Sequence, residues 1–196
     1  MTVLSNFKDS FNEEYIEIID KNYTPRMLTF TEDGDLTKYK YSIKLDTGFS
    51  QGIRFRMDKF LREGSAYIKQ KFCKDCDDVL IDTSNKVIYL IEIKKEKAFT
   101  TCTAKEFQRK EKDTLFFIKY LFWLSQSLDE FDEYNKVCIR WKYKNIRQPD
   151  RNSKSRMRNY RNPYKKYQDS QYETYKVDGA STIFLDAMFN DYELIS

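Results

Sequence analysis

The 196-residue chain contains no histidine. That absence removes a Ser-His-Asp triad, a Cys-His pair, HExxH zinc chemistry and any histidine general base. Any hydrolytic chemistry falls to carboxylates, lysines, tyrosines or cysteines. No run of about 18 apolar residues occurs, so neither a membrane span nor a membrane partner is expected. Met1 to Asp9 shows no apolar stretch behind basic residues, so a signal peptide is not expected either. Five glycines and three prolines argue against a collagen-like or low-complexity chain. The four cysteines are Cys73, Cys76, Cys102 and Cys138. Without histidine a zinc site would need all of them, and only Cys73-x-x-Cys76 has ligand spacing. Reduced intracellular thiols are the expectation, with Cys138 buried on its strand.

What is present suits one soluble domain. Fifteen Phe, 15 Tyr and 2 Trp supply core material, and 40% of the chain is hydrophobic. The net charge of +4 is unevenly spread. Residues 1–135 hold 22 Lys/Arg against 24 Asp/Glu, and residues 169–196 hold one Lys against six acids. Residues 136–168 hold 12 Lys/Arg and a single acid. In that basic segment Trp141, Tyr143, Tyr160, Tyr164 and Tyr167 alternate with the charges. Basic groups neutralise phosphates and release counterions, while aromatic faces stack on bases. Nucleic-acid contact is therefore expected there. A membrane-surface patch is disfavoured, because no amphipathic apolar stripe accompanies the charge.

Hydrophobic periodicity gives a coarse map. Phe11 to Ile19 predicts a short amphipathic helix with Phe11, Tyr15, Ile18 and Ile19 on one face. Thr24 to Leu45 reads as extended, with a turn at Glu32-Asp33-Gly34-Asp35. Gly52 to Arg62 reads as a strand end or a helix, closed by Gly64. Ala66 to Phe72, Asp78 to Asp82 and Val87 to Lys94 predict three strands, the last two joined by a turn at Thr83 to Lys86. Thr103 to Ser127 predicts one long helix, with Thr103 as N-cap and Glu106 at capping-box spacing. Its apolar face would be Ala104, Phe107, Leu115, Ile118 and Phe122. Lys136 to Tyr143 predicts a further strand, and Ala180 to Phe189 is of undecided type. These elements predict a single α/β domain over 1–196. Its core is about 52–143, followed by a basic arm (144–168) and an acidic C-terminal segment (169–196).

The stretch from Cys73 to Lys95 carries the chemistry. Side chains alternate along a strand, so Glu92 and Lys94 share one side while Ile91 and Ile93 face the other, into the core. Hairpin pairing brings Asp77, at the start of the neighbouring strand, beside Glu92. Two carboxylates can bind Mg²⁺, a hard cation that prefers oxygen ligands. The cation polarises a phosphate and lowers the pKa of a bound water. A lysine can orient that water or offset transition-state charge. Asp78 is a rival to Asp77, because strand parity alone does not decide between them.

An Asp opening a strand, a short hairpin, an apolar strand and Glu-x-Lys together resemble the core of the PD-(D/E)xK nuclease superfamily. The resemblance spans about Ala66 to Tyr143, with Cys76 where the motif's proline usually stands. It implies a restriction-endonuclease-like αβββαβ core with a mixed central sheet, plus an N-terminal extension and the basic arm. It also implies a metal-dependent endonuclease using Mg²⁺, with Mn²⁺ as substitute, and DNA rather than RNA as substrate. An RNA nuclease, or an inactive nucleic-acid-binding subunit of the same fold, are the alternatives. By the resemblance Asp77 and Glu92 are metal ligands, the Ile93 carbonyl a further ligand, and Lys94 the catalytic lysine.

Related nucleases add a Glu from the first helix, for which Glu63 is the candidate and Glu13, Glu14 and Glu17 the alternatives. They also add a Gln or Lys from the helix after Glu-x-Lys, here Gln108 or Lys112, which lie near Lys105 and Lys119 on one helical face. Lys112 is further expected on the nucleic-acid face, with Arg140, Lys142, Arg147 and Arg151. Lys154, Arg156, Arg158, Arg161, Lys165 and Lys166 complete that set. A homodimer is an additional expectation, because many such nucleases cut two strands as dimers. The chain is expected to be intracellular, in cytoplasm, nucleoid or nucleus.

Overall fold

Thr2 starts the first helix. Its hydroxyl accepts the Ser5 N–H at 3.3 Å, and the Ser5 hydroxyl accepts the Thr2 N–H at 3.0 Å. This capping box opens α1 (Val3–Ser10). The computed structural model describes residues 2–20, 27–34, 37–44, 50–55, 57, 76–95, 103–143, 164–167, 173–178, 182–184 and 193–194. The helix expected over Phe11 to Ile19 is not formed. Phe11 caps α1, and Ile16–Ile19 is strand β1. The β-branched run Ile16, Ile18 and Ile19 favours the pleat, and there it finds cross-strand partners in Phe55, Ile53 and Gly52.

The remaining strands are β2 (Met27–Gly34), β3 (Thr37–Lys44), β4 (Gly52–Phe55), β5 (Asp78–Asp82) and β6 (Val87–Lys95). After them come α2 (Ala104–Leu124), α3 (Leu128–Phe131) and β7 (Asn135–Tyr143). The chain closes with β8 (Tyr164–Tyr167), β9 (Glu173–Asp178), β10 (Thr182–Phe184) and β11 (Glu193–Leu194). The fold is α/β with a mixed sheet, ordered β1-β4-β5-β6-β7-β9-β8-β11. The pairs β1–β4, β4–β5 and β5–β6 are antiparallel, whereas β6–β7 and β7–β9 are parallel. A smaller sheet has the order β10-β3-β2. Its β2–β3 ladder closes at Gly34 and Thr37, so the turn falls two residues later than the one expected at Glu32 to Asp35. The strand expected over Ala66 to Phe72 lies outside the described residues, and β5 pairs instead with β4. Among the described residues, no helix is long and apolar enough to cross a membrane.

One face of the central sheet packs on α1 and α2. Ile53, Phe55, Val79, Ile81, Ile88, Leu90 and Cys138 meet Phe7 and the helix residues Leu115, Ile118, Leu121 and Phe122. Phe7 sits edge-on to Phe55 and Phe122 at 5.6 and 5.0 Å, and Phe122 edge-on to Phe131 and Tyr134 at 5.3 and 5.5 Å. Removing one such buried ring costs about 3–5 kcal/mol. The other face is buried too, by Leu80, Tyr89, Ile91, Ile93, Ile139 and Trp141. Strand alternation predicts a core on the Ile91/Ile93 side. In the structure both sides are core, and Glu92 lies on the side beneath α2.

Candidate active site

The site begins with a turn. Asp82, at the end of β5, accepts the Ser84 and Asn85 N–H groups with Oδ1 at 2.9 and 3.0 Å, and the Asn85 amide with Oδ2 at 2.7 Å. Lys86 then takes the left-handed conformation, with φ of 52°. These contacts set the hairpin register, Asp82 opposite Val87 and Asp78 opposite Ile91. One more step along the ladder puts Asp77 level with Glu92. A slip of one residue would send Glu92 to the other face.

Register thus separates the two neighbouring aspartates. Asp78 points to the face of Leu80, where Arg54 donates to its Oδ2 from Nε at 3.0 Å and from Nη2 at 2.9 Å. Arg54 also reaches Glu17 at 3.1 Å. Asp77 lies on the α2 side. Its Oδ2 accepts the Ile93 N–H at 2.5 Å and lies 3.9 Å from Lys94 Nζ. Of the two, Asp77 is the one beside Glu92 and Lys94, and Asp78 belongs to a separate ion pair.

Glu92 is nearly inaccessible, its side chain 2% exposed, while that of Asp77 is 33% exposed. Glu92 Oε1 receives two ammonium groups, Lys94 and Lys110, each at 2.6 Å. Its Oε2 is buried without a hydrogen-bond partner among the described residues. Burial, with the Glu92 charge, pushes the Asp77 carboxyl up to about 7 against the opposing pull of Lys94, the Ile93 N–H and Lys110. A second force fixes the approach to Asp77. The Thr114 hydroxyl of α2 accepts the Cys76 N–H at 2.8 Å, tethering the strand entry to the helix.

These residues fit a hard divalent cation. The orphaned Oε2 of Glu92 and the part-exposed carboxylate of Asp77 supply oxygen donors at one end of the hairpin. A strand residue directs its N–H and C=O to the same edge, so the Ile93 carbonyl also leaves toward Asp77. Among the described residues no cluster of three or more Cys, Asp or Glu side chains is arranged to hold a metal. A cation held here would need further ligands, for which the Ile93 carbonyl and water are the candidates.

Other expected residues fall differently. Gln108 and Lys112 are exposed on α2, and Lys110 is the helix residue that reaches Glu92. The periodic pattern concealed Lys110 because it borders the buried stripe Phe107, Glu111, Thr114 and Ile118 rather than centring on the polar face. Arg140, expected on the nucleic-acid face, is buried. Its Nε and Nη2 fork onto Glu111 at 2.7 and 2.9 Å, and it lies over the Phe107 ring. That pair ties α2 to β7 beside Glu92, whose register partner is Arg140. Lys142 is half-buried in β7, level with Lys94. Lys165 and Lys166 lie in strand β8 rather than in a free loop. Glu13 and Glu14 are exposed, and Glu17 sits with Arg54 on the opposite face. Glu63, Arg147, Arg151, Lys154, Arg156, Arg158 and Arg161 lie outside the described residues, as do Cys73 and Cys102. Cys76 and Cys138 are buried thiols that form no disulfide. Burial, with the Glu92 charge adding to it, pushes the Cys76 thiol well above its ordinary range.

No protein-family model matches the chain, and no curated protein or solved structure matches it either.

Proposed function

We propose that the chain is a Mg²⁺-dependent endonuclease with a restriction-endonuclease-like core, hydrolysing phosphodiester bonds of DNA. The observation that carries this reading is the convergence of Asp77, Glu92, Lys94 and Lys110 at one end of a hairpin. The element order supports it: a helix, an antiparallel β4–β5–β6 unit, the crossover helix α2 and a parallel strand β7. Position supports it as well. Lys94 and Lys95 are level with Lys142 and Tyr143, so the basic segment leaves β7 at the sheet edge where the carboxylates sit.

Asp77 and Glu92 would hold the cation, with the Ile93 carbonyl beside them. When bound, the cation would polarise the scissile phosphate and make a coordinated water acidic. Lys94, 2.6 Å from Glu92, places an ammonium where it can orient a water and offset charge developing on the phosphate. Lys110 offsets the charge of Glu92 from the helix side, 2.6 Å from the same oxygen that meets Lys94. The basic segment, interleaved with tyrosines, would hold the phosphate backbone and stack on bases.

The test is incubation of the purified chain with plasmid, single-stranded DNA and RNA in Mg²⁺, Mn²⁺ or EDTA. Metal-dependent cleavage that disappears in Glu92→Ala and Lys94→Ala is expected. Cleavage of RNA alone would shift the substrate. A chain that binds all three yet cuts none would be a non-catalytic binding subunit.

A further inference from the structure

Helix α2 buries one face and leaves an unusual second one. Phe116, Tyr120, Trp123, Leu124 and, at the start of α3, Leu128 are between 37 and 67% exposed. The first three follow at spacings of four and three residues, the repeat of a helix–helix seam. Tyr120 and Trp123 already stack at 5.6 Å. Rings of this size bury about 150–250 Å² each, so the patch amounts to roughly 400–500 Å², near the largest apolar patch of an ordinary monomer. With its polar surround it approaches the ~800 Å² per partner of a standard interface.

We propose that this face is a twofold interface between two copies of the chain, their α2 helices crossing antiparallel at Tyr120. The charge pattern selects the occupant. Toward the N-terminal end of the stripe α2 exposes Lys105, Arg109 and Lys112. Beyond its other end, residues 125–133 carry four acids and no base. An antiparallel crossing sets Phe116 against Trp123 and Leu124 of the partner subunit. It also brings the basic end of each helix to Asp129 and Glu130 of the partner subunit. A parallel crossing would instead stack like charges. Among the described residues Arg109 pairs with Asp113 at 3.7 Å, an exposed contact of the weak kind that an interface partner can replace. The interface is isologous, so each contact occurs twice.

Sedimentation velocity of the full chain over about 1–100 μM reads the assembly directly. It does so without substrate, so its outcome is independent of whether the chain cleaves nucleic acid. A concentration-dependent dimer is expected. Tyr120→Glu, which sets two carboxylates face to face at the axis, is expected to weaken it at least about tenfold with an unchanged circular dichroism spectrum. Arg109→Glu is expected to weaken it several-fold, and adding Glu130→Arg in the same chain to restore it, a rescue that a folding defect would not show. A chain that stays monomeric throughout, or a dimer indifferent to both Tyr120→Glu and Arg109→Glu, overturns the proposal. So does a Tyr120→Glu variant of unchanged mass that binds single-stranded DNA more weakly, because the face would then be a stacking surface.

Discussion

Asp77 and Asp78 are adjacent in sequence, yet they stand in opposite environments. Burial pushes both carboxyls up to about 7. Asp78 meets a guanidinium that approaches the same oxygen with two N–H groups and is itself held by Glu17. Asp77 meets a backbone N–H and the edge of a lysine pair centred on Glu92, and it keeps a third of its surface. On the first face the charges neutralise one another inside a fixed pair. On the second, two ammonium groups meet one oxygen of Glu92, and each face keeps one buried carboxylate oxygen without a hydrogen-bond partner among the described residues, Asp78 Oδ1 and Glu92 Oε2. The difference separates a carboxylate clamped by a guanidinium from one that stays a third exposed beside a lysine pair, and it arises from a single step along the chain.

Four experiments can break or sharpen this contrast. The largest effect is expected at Glu92. Glu92→Gln should lower metal-dependent cleavage by about 10³-fold or more, with melting displaced by only a few degrees. A variant of near-normal activity would remove Glu92 from the site. Next, Arg54→Met leaves Asp78 buried without its partner. A loss of about 3–5 kcal/mol in urea denaturation is expected, largely recovered by adding Asp78→Leu. A loss below ~1 kcal/mol would show that the second face is not a locked pair. Third, Mn²⁺ at about 100 times its dissociation constant should stabilise the wild type by ~2.7 kcal/mol, seen as a raised melting temperature. The shift should vanish in Asp77→Asn and persist in Asp78→Asn, and the reverse pattern would exchange their roles. The smallest effect is Lys110→Gln, for which about a tenfold drop in cleavage rate is expected, or ~1.4 kcal/mol. No change in rate would make Lys110 a bystander.

Much of the local structure was legible because it rests on local chemistry. The hairpin follows from β-branched strands on either side of Thr-Ser-Asn-Lys, and β5 runs over Asp78–Asp82 as its residues suggest. The α2 start follows from Thr103, whose hydroxyl accepts the Glu106 N–H while Glu106 accepts the Thr103 N–H. The choice between Asp77 and Asp78 was not legible, since it depends on pairing register rather than on either residue. Lys110 was not legible, and Arg140 was expected on the nucleic-acid face rather than buried, for a related reason. Both are charged side chains whose surroundings come from elements distant in sequence, Lys110 from β6 and Arg140 from α2. Ile16–Ile19 misled because four residues can satisfy both periods, and only β4 decides between them.

The place of β9 has a consequence for how the molecule assembles. The basic segment leaves β7 and returns as β8, yet β8 does not lie beside β7, because β9 occupies that position. Val137 to Lys142 pair with Glu173 to Asp178, and β8 pairs on the outer edge of β9. During synthesis the returning strand therefore emerges before the strand it needs. The hairpin and its carboxylates can form early through short-range contacts, whereas the strand carrying Lys165 and Lys166 docks only after residue 178 is made. Under the proposed function, the residues meant to cut would be in place first and the far end of the basic arm last.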